Sequence, residues 1–302
     1  MKIIRTTAVT LLATTALAHA GGIERSDQSM AILFEEGTYA ELSFSHVMPD
    51  TSGTLGVSSG SVIPSFNNVA LRFRQDFTES LSFAIVLENH VGADVDYPAG
   101  NGYALAGTNA ELNGESLTAV LRYEFPTGMS IYGGARLATI NGDVTIQTAA
   151  PLPAGIYTLS TNTDSAVGYL IGASYEIPEI ALRVNLTYNS SYTHDLTAND
   201  AIIGVTTATS SIEVEVPQSL MLEAQSGIAE DTLLFGSIRW VDWTAFEVDT
   251  ALYQAFVGGG PPLVGYNSDR ITYEIGVARR FTDEWVGAIT ATYEPETNDV
   301  DS

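Results

Sequence analysis

Asn68-Val-Ala-Leu-Arg-Phe-Arg-Gln-Asp-Phe77 alternates strictly, with Val69, Leu71, Phe73, Gln75 and Phe77 on one face and Asn68, Ala70, Arg72, Arg74 and Asp76 on the other. A period of two places successive side chains on opposite sides of a β-strand. The pattern recurs at 116–125, where Leu117, Ala119, Leu121, Tyr123 and Phe125 oppose Ser116, Thr118, Val120, Arg122 and Glu124. It recurs again at 180–189, where Ile180, Leu182, Val184, Leu186 and Tyr188 oppose Ala181, Arg183, Asn185, Thr187 and Asn189. One face is therefore continuously apolar and the other carries arginines.

Strands are predicted at 38–48, 66–77, 81–95, 115–125, 129–145, 164–176, 180–194, 211–225, 231–247, 268–281 and 284–295. Most have the length of a tilted strand crossing a bilayer. The connections sort by length. Short turns at 76–80, 125–128, 176–179, 226–230 and 281–283 alternate with long segments at 51–65, 96–114, 146–163, 195–210 and 248–267. This sorting is the mark of an up-and-down transmembrane barrel, with short turns at one mouth and long loops at the other. Phe77, Tyr123, Phe125, Tyr175, Tyr188, Trp240, Phe281, Trp285 and Tyr293 fall near strand ends on the apolar face, where membrane barrels carry aromatic girdles.

Composition agrees. The chain of 302 residues has 12 basic and 36 acidic residues and no cysteine, with a net charge of −24. That charge argues against a nucleic-acid partner, since phosphate binding needs a basic surface. A positive Lys2 and Arg5, a short apolar run from Ala8 to Leu17 and an Ala18-His19-Ala20 site read as a secretory signal peptide over 1–20. The run is too short for a membrane-spanning helix. With no disulfide available, a closed barrel is one way to stabilise such a secreted chain.

On the polar face, Arg72, Arg74, Arg122, Arg136, Arg183, Arg239 and Arg280 are expected to point into the lumen, together with Asp76, Glu124, Glu176, Glu213, Glu215 and Glu274. An arginine facing lipid at the midplane would cost about 2–4 kcal/mol, whereas inside it can form two-pronged bonds to carboxylates. Catalysis finds no foothold. The histidines lack metal-pair spacing, and no nucleophile elbow or P-loop is present, so no catalytic, cofactor or metal residues are assigned. Gly258-Gly259-Gly260 reads as loop.

The order of features resembles the FadL-type family of outer-membrane transporters for long-chain fatty acids and other hydrophobic compounds. The match rests on Val216-Pro217-Gln218-Ser219-Leu220 followed by a hairpin with Trp240-Val241-Asp242-Trp243, and on Asp269-Arg270-Ile271 with Phe281-Thr282-Asp283-Glu284-Trp285. Ser26–Gly37 (SDQSMAILFEEG) stands where the family carries its D-x-S…NPAG segment. The resemblance covers about 21–302 and departs from the family twice. The N-terminal hatch is short, with Glu35-Glu36-Gly37 in place of NPAG. Eleven strands stand where the family has fourteen, so a C-terminally incomplete barrel with an open wall between first and last strands is expected.

The resemblance implies three segments: the leader at 1–20, a short plug at 21–37 including Ile32, Leu33, Phe34, Glu35 and Glu36, and a barrel over 38–302. It implies passive outer-membrane transport of a long-chain fatty acid or aromatic hydrocarbon by a monomer in contact with membrane lipid. Exit would be sideways at a kink in the third strand, where Asn89, His90, Gly92 and Asp94 interrupt the alternation. Tyr103, Leu105, Leu252, Tyr253, Phe256, Leu263 and Tyr266 are candidates for an external capture groove. A general porin and a non-transporting structural or adhesive barrel are the alternatives, separable by liposome swelling with sugars against fatty-acid uptake.

Overall fold

The computed structural model describes residues 23–150, 152–282 and 284–295. The leader at 1–20, the first two residues of the plug segment and the end of the chain lie outside the described residues. Fourteen strands form one antiparallel sheet. They are β1 (Tyr39–Val47), β2 (Phe66–Asp76), β3 (Leu81–Asp96), β4 (Asn109–Glu124), β5 (Met129–Thr148), β6 (Gly155–Thr161), β7 (Asp164–Ile177), β8 (Leu182–Asn189), β9 (Tyr192–Ile202), β10 (Thr206–Val216), β11 (Ser219–Ala229), β12 (Thr232–Val241), β13 (Arg270–Arg280) and β14 (Val286–Tyr293).

The wall runs β1-β2-β3-β4-β5-β7-β8-β11-β12-β13-β14, eleven strands joined as neighbours in chain order. Each of the eleven overlaps a strand expected from the alternation, although the expected strands at 180–194 and 211–225 each run across two. Among the described residues no ladder joins β1 to β14, so the wall has a seam there. No helix among the described residues is long and apolar enough to cross a membrane. The apolar face points outward instead: Leu42, Phe44, Leu71, Leu121, Ile131, Val167 and Ile275 are all exposed. Phe77, Phe281 and Trp285 are exposed beside the short turns, at the rim where amphipathic rings favour the interface.

Several of the expected long loops carry regular structure. Segment 146–163 contains β6, and 195–210 contains most of β9 and the start of β10. These pieces pair β5-β6-β9-β10 and extend the wall past the apolar belt. Thr in Thr158–Thr161, and Thr, Ile and Val in Thr206–Val216, favour the pleated conformation. Segment 248–267 contains a helix, α1 (Ala251–Val257). The Thr250 side chain accepts from the Tyr253 N–H, and Gly258 ends the helix at φ 80°, a conformation that favours glycine.

The extensions also change phase. In β8 the odd residues Arg183, Asn185 and Thr187 are buried, whereas past Ser190-Ser191 it is Tyr192, His194 and Leu196 in β9. The same switch occurs at Asn162-Thr163 between β6 and β7 and at Pro217-Gln218 between β10 and β11. Pro217 cannot donate to the ladder, which suits it to such a break. The expectation for Glu213 and Glu215 fails here. Val214 and Val216 take the inward face, leaving Glu213 exposed and Glu215 half-buried on the other face. A single phase carried across Pro217 put both acids on the wrong side.

Candidate functional site: the lumen, its N-terminal segment and the β2–β3 interruption

Inward-facing arginines line the barrel. Arg72, Arg74, Arg122, Arg136, Arg183 and Arg239 are buried, and Arg280 is half-buried on the inward side of β13. The chain supplies their partners by the same alternation. Arg74 pairs with Asp76 at 2.5 Å and Arg122 with Glu124 at 3.2 Å, two residues apart on one face. Arg122 also meets Glu176, and Arg72 bridges Glu41 (2.7 Å) and Glu88 (3.4 Å). Arg270 is buried on the same inward side of β13 and was not among the expected lumen arginines. Its even spacing from Arg280 carried the signal.

The segment from Ile23 to Gly37 lies inside this lumen. Met30, Ala31, Ile32, Leu33, Phe34 and Glu35 are buried, and Glu36 is exposed at the short-turn mouth. Four of these side chains, Met30, Ile32, Leu33 and Phe34, pack on Ala84, Val86, Val120, Tyr132 and Leu170, which belong to β3, β4, β5 and β7. Polar ties hold the rest. Gly37 and Asp76 bond at 3.1 Å, Arg122 donates to the Leu33 carbonyl at 3.4 Å, and Arg136 donates to Gln28. Ser29 donates to Glu223 at 2.5 Å, Ser26 to Glu88 at 2.8 Å, and Arg239 donates twice to Glu24. Arg122 and Arg183 flank the Phe34 ring at 4.7 and 4.6 Å, an arrangement favoured by the ring quadrupole.

The residues expected at a kink in the third strand sit at a break in the wall. The β2–β3 ladder ends at Ala70↔Glu88. Beyond it, β2 continues to pair with β1 as far as Phe66, and β3 continues to pair with β4 as far as Asp96. The β3–β4 register shifts between Asn89 and Val91, and His90 is the extra residue, turned fully inward. A bulge of this kind bends its strand and ends pairing with one neighbour. Thus Phe66–Val69 and Asn89–Asp96 face each other without a backbone ladder.

Arg25 fills that interruption, a role the sequence reading missed although Arg25 is the sole cation of the segment. It pairs with Asp94 at 2.9 Å and lies 3.4 Å from the centre of the Phe66 ring. The backbone is stitched as well: Arg25 N–H donates to His90 O (3.0 Å), Gly92 N–H to Ile23 O (2.7 Å), and Asn68 to Arg25 O (3.0 Å). Gly92 leaves room for this. A Cβ there would stand 2.9 Å from Arg25 Nε and 3.2 Å from the Leu112 carbonyl. Burial draws the Arg25 guanidinium's pKa down and Asp94 opposes it, so the desolvated cation is only partly compensated.

The seven expected groove residues occupy three places. Leu252, Tyr253, Phe256 and Leu263 pack on Tyr157, Leu159 and Ala198 of β6 and β9 at the long-loop mouth. Asp200 ties this cap down, accepting from Thr250 at 2.6 Å and Tyr157 at 3.3 Å. Tyr266 packs against Trp243 in a tilted arrangement and edge-to-face against Phe246, in a second cluster that reaches Ile23 and Val91. Tyr103 stands apart, stacked on Tyr97 with ring centres 5.6 Å apart, and Leu105 lies half-buried in the same loop. No set of three or more His, Cys, Asp or Glu among the described residues could hold a metal.

No protein-family model and no curated protein matches the chain. Solved structures do. A FadL homologue from Pseudomonas aeruginosa superposes with a TM-score of 0.65 at 14% identity, covering 87% of this chain and 73% of that one. The toluene transporter TbuX of Ralstonia pickettii gives 0.59 at 12% identity, covering 88% and 79%. The toluene transporter TodX of Pseudomonas putida gives 0.57 at 12%, covering 85% and 73%. The chain has the fold of these FadL-type barrels.

Proposed function

We propose that this chain is a bacterial outer-membrane channel that carries hydrophobic small molecules, long-chain fatty acids or aromatic hydrocarbons, and releases them sideways into lipid between β2 and β3. The carrying observation is the early end of the β2–β3 ladder at Ala70↔Glu88 while the ladders on either side run on. The fold shared with two toluene transporters supports the substrate class. An apolar solute gains by leaving a polar lumen directly for lipid, since it never has to be hydrated. In this reading the clustered α1 and β6 side chains offer the apolar capture surface, 23–36 is a plug, and the protein works as a monomer surrounded by lipid. Arg25 then acts as a latch across the opening.

Cysteines at Val69 and Asn89 test it. These positions follow the last ladder pair, and the Val69 N–H lies 3.5 Å from the Asn89 side-chain oxygen. The native chain has no cysteine to interfere. Oxidation of the double variant in proteoliposomes should abolish uptake of labelled oleate or toluene, and reduction should restore it. Uptake that ignores the redox state of a demonstrably formed bond would refute sideways release.

A further inference from the structure

Two cavities lie beside the N-terminal segment, on the side it leaves free. Met30, Ile32, Leu33 and Phe34 pack on the β3, β4, β5 and β7 side of the lumen, and Ile23 joins the cluster around Val91 and Trp243. Beside the segment, a chamber of about 110 Å³ is walled by Asp27, Arg72, Arg183, Glu223, Gln225 and Glu274 and reaches Glu88 and Asn89 of β3. Below it, toward the short-turn mouth, a chamber of about 570 Å³ is bounded by Phe34, Glu36, Glu176, Asp231, Leu233 and Arg280. Both are large enough for ordered water and the upper one is lined mainly by polar groups, the setting in which buried water is stable.

The two chambers share two lining residues, Arg183 and Gln225. These sit opposite each other across β8 and β11 and are bonded, Arg183 Nη2 donating to Gln225 Oε1 at 2.9 Å. The guanidinium is also held against the Phe34 ring. The pair therefore stands where the chambers meet, and it is made of two flexible side chains that project from paired strands. Charge along the path is unbalanced. The lower chamber is lined by Glu36, Glu176, Glu179 and Asp231 against Arg183 and Arg280. In the upper one Asp27, Glu88, Glu223 and Glu274 stand against Arg25, Arg72 and Arg183, and the register sets Ser237 between Glu223 and Glu274 on β11, β12 and β13. A narrow path lined by acids concentrates cations and repels anions.

We propose that the lumen holds a second, aqueous route for small cations, running from the upper chamber to the short-turn mouth and gated by the Arg183–Gln225 pair. The upper chamber also borders the β2–β3 interruption, since Arg25, Asn68, Val69 and Asn89 line it, so the two routes diverge from one chamber and the aqueous one leads down past the Arg183–Gln225 pair. Movement of Arg183 off Gln225 joins the chambers; it also takes the guanidinium off Phe34, while the segment keeps its ties to Arg136 and Arg239.

The cysteine-free background allows a direct test. Ser237→Cys places a thiol in the upper chamber, and small cationic and anionic methanethiosulfonates are applied to the protein in proteoliposomes from the short-turn side. Gln225→Ala or Arg183→Met in that background should speed modification by the cationic reagent about tenfold, the factor produced by removing about 1.4 kcal/mol of closing energy. The cationic reagent should react faster than the anionic one in every variant, including Gln225→Ala, which keeps the Arg183 charge. Uptake of a hydrophobic solute should be unchanged in Gln225→Ala, which separates this route from the sideways one. Equal rates with and without the pair in correctly inserted protein, or a faster anionic reagent, would overturn the proposal.

Discussion

Replacing Arg25 by alanine removes the side chain that spans the β2–β3 interruption while leaving its backbone bonds to His90 and Asn68 in place. Two interactions are lost. The ion pair with Asp94 is partly wet, with Asp94 35% exposed. Solvent screening holds such a pair to about 0.5–1 kcal/mol. The guanidinium over Phe66, at 3.4 Å, contributes about 0.5–2 kcal/mol. Together they hold the gap closed by about 2 kcal/mol, and their loss should raise the open-to-closed ratio roughly thirtyfold. Where opening limits transport, initial uptake of labelled toluene into proteoliposomes should rise by up to that factor. Arg25→Lys keeps the charge but loses the planar stack, so its rise should be smaller. Thermal stability of the wall should change little, because no ladder bond is touched. An Arg25→Ala barrel that inserts normally and transports no faster than the unaltered protein would refute the latch.

Glu24→Ala strands the buried Arg239 that donates to it twice, and breaking one side of a buried pair costs about 3–5 kcal/mol; hydrogen exchange in 23–36 should accelerate while the strands stay protected. Gly172→Ala puts a methyl group into the Tyr132 ring, whose hydroxyl bonds Thr187 at 2.6 Å, and should lower stability by about 1–3 kcal/mol in heat unfolding. Adding Tyr132→Ala should recover part of that loss, a non-additivity that contact predicts. Thr250→Val removes both the α1 cap and the tie to Asp200; a loss of about 1 kcal/mol from the cap alone should show as faster proteolysis within the segment around α1.

The alternation in Asn68–Phe77 and its repeats was sufficient to place eleven wall strands, the outward apolar belt and the inward arginines. A side chain's face follows from position along one strand, and lipid outside makes a misplaced arginine costly. That rule failed only where the strand itself is broken. Ser190-Ser191 and Pro217-Gln218 reset the phase, and Glu213 and Glu215 went outward, because parity does not survive an inserted residue. Asn89 to Asp94 was legible as an irregularity through Gly92. What the irregularity does to the wall depends on which neighbour loses its ladder, and pairing between β2 and β3 is a tertiary fact. The cap at the long-loop mouth was legible as apolar residues, Leu252, Tyr253 and Phe256, but their partner Tyr157 is nearly a hundred positions earlier in the chain.

By itself the sequence determined the up-and-down β architecture, the lining of the lumen and a short segment apart from the strands, since each is written in local periodicity. Only the tertiary structure decided that Arg25 fills the wall, that Glu24 meets Arg239, and that Arg183 and Gln225 stand where the chambers beside 23–36 meet. Those contacts join residues tens to hundreds of positions apart, and their geometry exists only after every ladder has set its register.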